Sequence, residues 1–246
     1  MTHTAAPKTH KVADLTWDIV AERLASGAAA LLPIGAGAKQ HGLHMTMATD
    51  QVSAEYFATV VAEKTGALIW PTLTYGAYPA FVAYAGSASL SDATFQSAAR
   101  EIADALLGFG AERVLILNTG ISTLASVDAA IKATSDPSRI RHLKVFAGPR
   151  FVQTAKALQQ QPYGSHADEI ETSLMLAIAP GSVDMSRAEA SPISPDGPSR
   201  GPLSPDDPKS PNYSPSGSFG DPTLASAEKG RTILAAIVAD LMEVAA

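Results

Sequence analysis

Two short segments hold most of the side chains that could do chemistry. GAGAKQHGLHMTMATD, residues 35–50, carries Lys39, His41, His44 and Asp50, and HADEIETS, residues 166–173, carries His166, Asp168, Glu169 and Glu171. Imidazoles beside carboxylates suit either a hard-metal site or an acid–base pair in which the carboxylate fixes the imidazole tautomer. The rival reading of the second segment is structural, since acidic residues at the start of a helix satisfy its free backbone N–H groups. Cysteine is absent, so disulfides, thiolate metal sites and a cysteine nucleophile are excluded together, and any metal must sit on His, Asp and Glu. Of the remaining histidines, His3 and His10 fall in an N-terminal arm and are expected to be solvated. His142 belongs to a basic surface patch with Arg139, Arg141 and Lys144.

Helices and strands of ordinary length alternate around these segments. Asp14 is placed to cap a helix from Leu15 to Ser26, with Trp17, Ile19, Val20 and Leu24 on one buried face. Ala28 to Ile34 reads as a strand buried on both sides, and Asp50 opens a helix that Gly66 ends. Ala67 to Leu73, Arg113 to Leu117 and Leu143 to Ala147 read as further strands. Helices are expected over 93–109, 122–133 and 223–244. Such alternation implies a parallel sheet with helices on both faces, in which ligands bind beyond the carboxyl ends of the strands. The loops after Ile34, Leu73 and Leu117 should then share one crevice. Tyr75, Tyr78, Phe81 and Tyr84 follow the second strand and either contact a ring-shaped substrate or serve a core or subunit interface.

With 246 residues the chain suits one domain over 15–246, preceded by a flexible arm over 1–14. Prolines interrupt Ser, Asp and Gly over 186–222, a segment read as a flexible surface excursion, with a lid or an intersubunit arm as the alternatives. The formal net charge of -6 and the lack of a basic patch of the size phosphates need argue against nucleic acid and anionic membranes as partners. No apolar run reaches spanning length and the start lacks a leader-like apolar core, so a soluble, cytoplasmic protein is expected. Only 17% of residues are charged, which favours an oligomer. The glycines of GAGAK are followed by Gln40 rather than Ser or Thr, so no phosphate loop is present. Ser122, Ser165 and Ser173 lack the strand-elbow context of a hydrolytic serine.

The segment LPIGAGAKQHGLHMTMATD resembles the first signature of the creatininase (creatinine amidohydrolase) family, LPxGxxEQHGxHLPxxTD, and SHADEIETSLML resembles its second, HAGExETS. YGAYPAFVAYAGSASLS is similar to the family stretch ending in GTxSL, and GSFGDPTLASAEKG to its closing GxxGDPxxAxxEKG. The resemblance implies a three-layer α/β/α sandwich, a hexameric assembly and a metal hydrolase whose paired divalent ions activate water against a carbonyl carbon. By position, Asp50 would bridge the ions and His41 would ligate one. His166 would give a proton to the leaving group, and Glu171 would either orient the site or bind metal. His44 matches a family histidine whose role here is either catalytic or to shape the loop.

Two departures change that expectation. Lys39 occupies the position of a metal-binding glutamate, and NTGIST replaces the family's NGHGGN or NGHYEN, removing an imidazole and, relative to some members, a carboxylate. An ion held by oxygen and nitrogen ligands should not survive that change. The Lys39 ammonium is therefore expected to take the lost cation's place beside Asp50, the alternative being that it points to solvent. His41, Asp50 and Glu171 could still hold a single Zn, Mn or Fe ion; a metal-free site is the near rival, and a two-metal centre is disfavoured. Without metal, His166 with Glu169 or Glu171 would serve as the base. The expected activity is hydrolysis of a C–N bond, or a related C–C bond, of a small polar substrate. A non-catalytic binding protein or structural oligomer subunit is the alternative.

Overall fold

The computed structural model describes residues 9–192 and 201–246. Four parallel strands, β1 (Ala30–Ile34), β2 (Leu68–Ile69), β3 (Val114–Asn118) and β4 (Ile140–Lys144), form one sheet in the order β2-β1-β3-β4. Seven α-helices among the described residues accompany them: α1 (Trp17–Ala25), α2 (Thr49–Thr65), α3 (Asp92–Gly108), α4 (Leu124–Lys132), α5 (Pro149–Leu158), α6 (Glu169–Ile178) and α7 (Ala227–Ala245).

The strands are apolar at alternate positions on both faces, which is why helices cover both. Leu31, Leu115, Leu117 and Leu143 pack against Phe57 and Val61 of α2, Leu174 of α6, and Ile233 and Ile237 of α7. Leu32, Ile34, Val114 and Ile116 face the other way, against Phe95 and Leu106 of α3, Val127 of α4 and Leu24 of α1. The result is the expected three-layer α/β/α sandwich. Each fully buried Leu or Phe contributes roughly 1.5–3 kcal/mol of transfer free energy, so this double core fixes the sheet rigidly. α6 and α7 pack tightly at Gly230, where a Cβ would come within 1.9 Å of the Ser173 carbonyl oxygen. Chain order reverses between β1 and β3, so the crevice expected of such sheets opens at their carboxyl ends.

Several expectations are corrected. Residues 9–14 are docked rather than frayed: Lys11 bridges Ile69, and the His10 ring lies 3.1 Å from the Ala67 carbonyl rather than in solvent. Residues 1–8, including His3, lie outside the described residues. The first helix starts at Trp17 after Thr16, not at a cap on Asp14, and Trp17 is 83% exposed because the helix turns Val20 and Leu24, not Trp17, to the core. The second strand stops at Ile69, since Pro71 has no N–H to offer a ladder; Leu73 returns as a single bridge to Ile34. The fourth strand is displaced to Ile140–Lys144 by its register with β3, which sets Leu143 opposite Leu117. His142 is therefore inside a strand, 2.7 Å from Asp128, rather than ahead of one. The described part of the proline-rich segment packs instead of floating: Leu203 N donates to Ala80 O, the Tyr84 hydroxyl donates to Ser214 O at 2.6 Å, and Phe219 pairs with His166. Residues 193–200 of that segment lie outside the described residues.

Candidate active site

The carboxyl end of β1 abuts the first turn of α2, a contact that needs glycine at position 35, where a Cβ would lie 2.3 Å from the Asp50 carbonyl oxygen. The loop between them folds back so that Lys39 N donates to Met47 O at 3.1 Å, which turns the Lys39 side chain inward. Thr119, at the end of β3, brings its hydroxyl within hydrogen-bond reach of the carbonyls of Ile34 and Asp50, locking the three segments together. α6 presents Glu171, and His166 comes from the loop just before it. That loop holds Ala167 at a φ of 47°, a left-handed conformation costly for any residue with a Cβ. The Ala167 N–H donates to Glu171 Oε2 at 2.6 Å, which ties the strained turn to the carboxylate.

The convergence is tight. Lys39 Nζ lies 2.6 Å from Asp50 Oδ2, both side chains buried, and 4.9 Å from the centre of the Phe81 ring. His41 Nε2 is 3.2 Å from Asp50 Oδ1 and 3.8 Å from Glu171 Oε1, while its Nδ1 is 2.9 Å from the Lys39 carbonyl. Both edges of that ring thus face oxygens that only accept, so the Nε2 side calls for a proton or a cation. His166 Nε2 sits 2.8 Å from the Gln40 carbonyl and must carry the hydrogen, leaving a bare Nδ1 at 3.8 Å from Glu171 Oε2. Burial, reinforced by His41 and Lys39, holds the His166 imidazole well below its ordinary range, so it is neutral and ready to accept a proton. Burial would push the Asp50 carboxyl up, but Lys39 and His41 hold it well below the usual carboxylate range. Lys39, Asp50, His166 and Glu171 line a cavity of about 760 Å³, bounded on other sides by Phe81, Thr119, Phe146, Leu203, Asn212 and Phe219, with His41 buried just behind.

Five of the candidate residues, Lys39, His41, Asp50, His166 and Glu171, therefore meet. Glu169 does not join them. Its carboxylate pairs with Lys229 and accepts the backbone N–H groups of Gln160 and Gln161, on the far side of α6. Glu169→Gln is expected to lower stability by roughly 3–5 kcal/mol, as for other broken buried pairs, while leaving turnover per folded molecule unchanged; denaturation and steady-state rates check both. Asp168 caps α6 by accepting the N–H groups of Ile170 and Glu171, the structural role open to it from the start. Among the aromatic residues after the second strand, Phe81 lines the cavity, whereas Tyr78 is buried and tied to the Ala88 carbonyl and Tyr75 is exposed. Thr119 could have been found by its place at the end of β3. Leu203, Asn212 and Phe219 carry no periodic signal in a proline-rich stretch.

His44 lies behind the site, its Nε2 2.8 Å from Thr172 Oγ1, and burial first, then His41, pulls its pKa to about 4. The unfolded chain protonates near 6.5, before the folded one, so stability is lost as pH falls from about 6.5 towards 4. Asp168, raised to about 6 by burial, acts in the opposite sense between pH 6 and 4. His44→Gln should accordingly flatten the drop in unfolding midpoint between pH 7 and 5 relative to the parent chain.

The family model described as creatinine amidohydrolase matches residues 13–245. The chain belongs to the creatininase family. The creatinine amidohydrolase of Pseudomonas putida is 31% identical over 91% of this chain and 91% of its own length. The mycofactocin precursor peptide peptidase of Mycobacterium ulcerans (strain Agy99) is 29% identical over 85% of this chain and 81% of its own. Solved creatininases in a manganese form and, as a mutant, in a Zn–Zn form superpose with a TM-score of 0.80 at 27% identity, covering 96% of this chain and 97% of theirs. In the turn after β3 Asn118 Oδ1 accepts from Gly120 N and the Thr123 hydroxyl, so the NTGIST segment closes on itself and offers no imidazole. No described helix is long and apolar enough to cross a membrane.

Proposed function

We propose that this creatininase-family chain hydrolyses a C–N amide bond of a small polar substrate, at a site where the Lys39 ammonium replaces one of two metal ions. The observation that carries it is the buried Lys39–Asp50 pair at 2.6 Å. A fixed cation lining the cavity can stabilise the oxyanion that forms when a carbonyl is attacked. His166 Nδ1 takes a proton from the attacking water and returns it to the leaving nitrogen. Glu171 faces both imidazoles and, held by Ala167 N–H, keeps them in register.

The donor set fits one divalent ion. His41, His166 and Glu171 bring one ligand atom each within 4.8 Å of one another and are the residues that would hold it; Asp50, which the sequence put in that set, lies beside His41 and is paired with Lys39. Such an ion, Zn, Mn or Fe, would supply Lewis acidity and lower the pKa of bound water. A second ion does not fit, because Lys39 Nζ already sits on Asp50 Oδ2 and the turn after β3 brings no ligand. Elemental analysis after incubation with excess zinc or manganese should find at most one equivalent per chain. Two tightly held equivalents would refute the replacement. Release of amine from a panel of lactams, N-acyl amino acids and short peptides tests the activity itself, and silence across the panel would favour a binding or structural subunit. Assembly into a homo-oligomer, a hexamer by family resemblance, belongs to the same proposal and is checked by sedimentation.

A further inference from the structure

We infer that a groove beside the catalytic chamber binds the amine side of the substrate, and that this part is an apolar arm ending in a carboxylate. The inference rests on the amidohydrolase reading and narrows its substrate class. A second cavity of about 350 Å³ shares Ile121, Phe146, Ser165 and Glu171 with the larger one, so the two are continuous past Glu171. Its floor is apolar: Phe146 and Ile121 meet Val152 and Ala155 of α5, with Lys156 on the rim. Positions 152, 155 and 156 share one helix face by their spacing, and Val152 and Ile121 are each 53% exposed. A half-open apolar trough that leads into a catalytic chamber is built for something that also reaches the chamber.

Charge sets the direction. The cations lining the two cavities are Lys39 and Lys156. Lys39 is taken by Asp50, whereas Lys156 is exposed and forms no ion pair with a described residue. Asp50 lines the chamber with its charge matched by Lys39, Glu171 lies at the junction, and Asp168 lines the inner part of the groove, so an anionic substrate group belongs at the exposed Lys156 end, away from these carboxylates. Proton traffic places the leaving group on the same side. In hydrolysis the water oxygen bonds to the carbonyl carbon, the C–N bond breaks, and the water's proton passes through His166 Nδ1 to the departing nitrogen. That nitrogen must lie near Nδ1, which faces Glu171 at the junction of the two cavities. The acyl group then lies by Lys39, and the amine's substituent runs into the groove.

The test is calorimetric binding of N-acetyl-L-phenylalanine, N-acetylglycine and N-acetyl-L-phenylalanine amide to the full-length chain, with their hydrolysis followed in parallel. The phenylalanine acid should bind at least about tenfold tighter than the glycine acid, the effect of burying one aromatic side chain. It should bind about two- to fivefold tighter than its amide, the scale of an exposed ion pair. Ala155→Trp should erase the phenylalanine preference while sparing N-acetylglycine, and Lys156→Gln should erase the acid-over-amide preference. Equal affinity for the phenylalanine and glycine acids, or no saturable binding of either, would overturn the inference. So would an Ala155→Trp protein that dissociates in sedimentation with the phenylalanine preference intact, because the groove would then belong to a second copy of the chain. The expected binding pattern without hydrolysis of any amide would keep the groove and reject the catalytic reading. Hydrolysis of lactams or glycine amides without the apolar preference would do the reverse.

Discussion

His166→Ala should lower turnover by about 10²- to 10⁴-fold while leaving the sandwich folded, the range expected when a positioned proton carrier is removed. The ring is held from one side only, Nε2 on the Gln40 carbonyl, so that Nδ1 is free to exchange a proton in the cavity. Its packing partners, Phe81 at 4.3 Å and His41 at 4.8 Å between ring centres, are themselves anchored, so the pocket persists without it. Steady-state rates at pH 7 together with circular dichroism check the two halves of the expectation. Activity within tenfold of the parent would remove His166 from the mechanism. The parent's rate should also fall on acidification only well below pH 6.5, because burial and the neighbouring cations keep this imidazole neutral.

Lys39→Met should have the second large effect, and on three quantities together. It keeps the length of the side chain and removes the charge. Asp50 then loses the partner that sits on Oδ2, and uncompensated buried charges of this kind cost roughly 3–5 kcal/mol of stability. Turnover should fall by about 10²- to 10³-fold, as when a preorganised oxyanion donor is deleted. Affinity for a divalent ion should rise, since a like charge next to the three remaining ligands is gone. Denaturation midpoints, rates and metal content on one preparation read all three. A variant as active and as stable as the parent would show that the ammonium does nothing in the site.

The tyrosine and proline segments illustrate how unevenly the molecule could be read in advance. The layer order was legible because strands apolar on both faces admit only a sheet covered twice, and Gly66 and Ser91 mark helix ends by local chemistry alone: one sits at a φ of 77°, the other accepts the Thr94 N–H. Local chemistry was insufficient for α5, where Phe151 is the only buried residue and the start lies in a segment of glycine and proline, whereas the acidic start of α6 was already consistent with a capped helix. It also misjudged Trp17, because a helix's apolar residues are buried only where another element meets them: Val20 and Leu24 reach the core, and Trp17 points away from it.

At the site, the sequence by itself determined the inventory: which imidazoles, carboxylates and ammonium exist, and to which family the motifs point. Chemistry of that kind is a property of residue types and short spacings, and it needs no fold to be read. Tertiary structure decided where each charge goes. Residues 39 and 50 are joined because Gly35 lets a strand end touch a helix start, and Glu169 is removed from the chamber because Lys229 and two backbone N–H groups claim it from α7 and the loop before α6. The proline-rich segment becomes a wall of the cavity through contacts with residues more than a hundred positions away. Such pairings follow from packing between distant elements, whose outcome depends on all of them at once and is written in no single stretch of the chain.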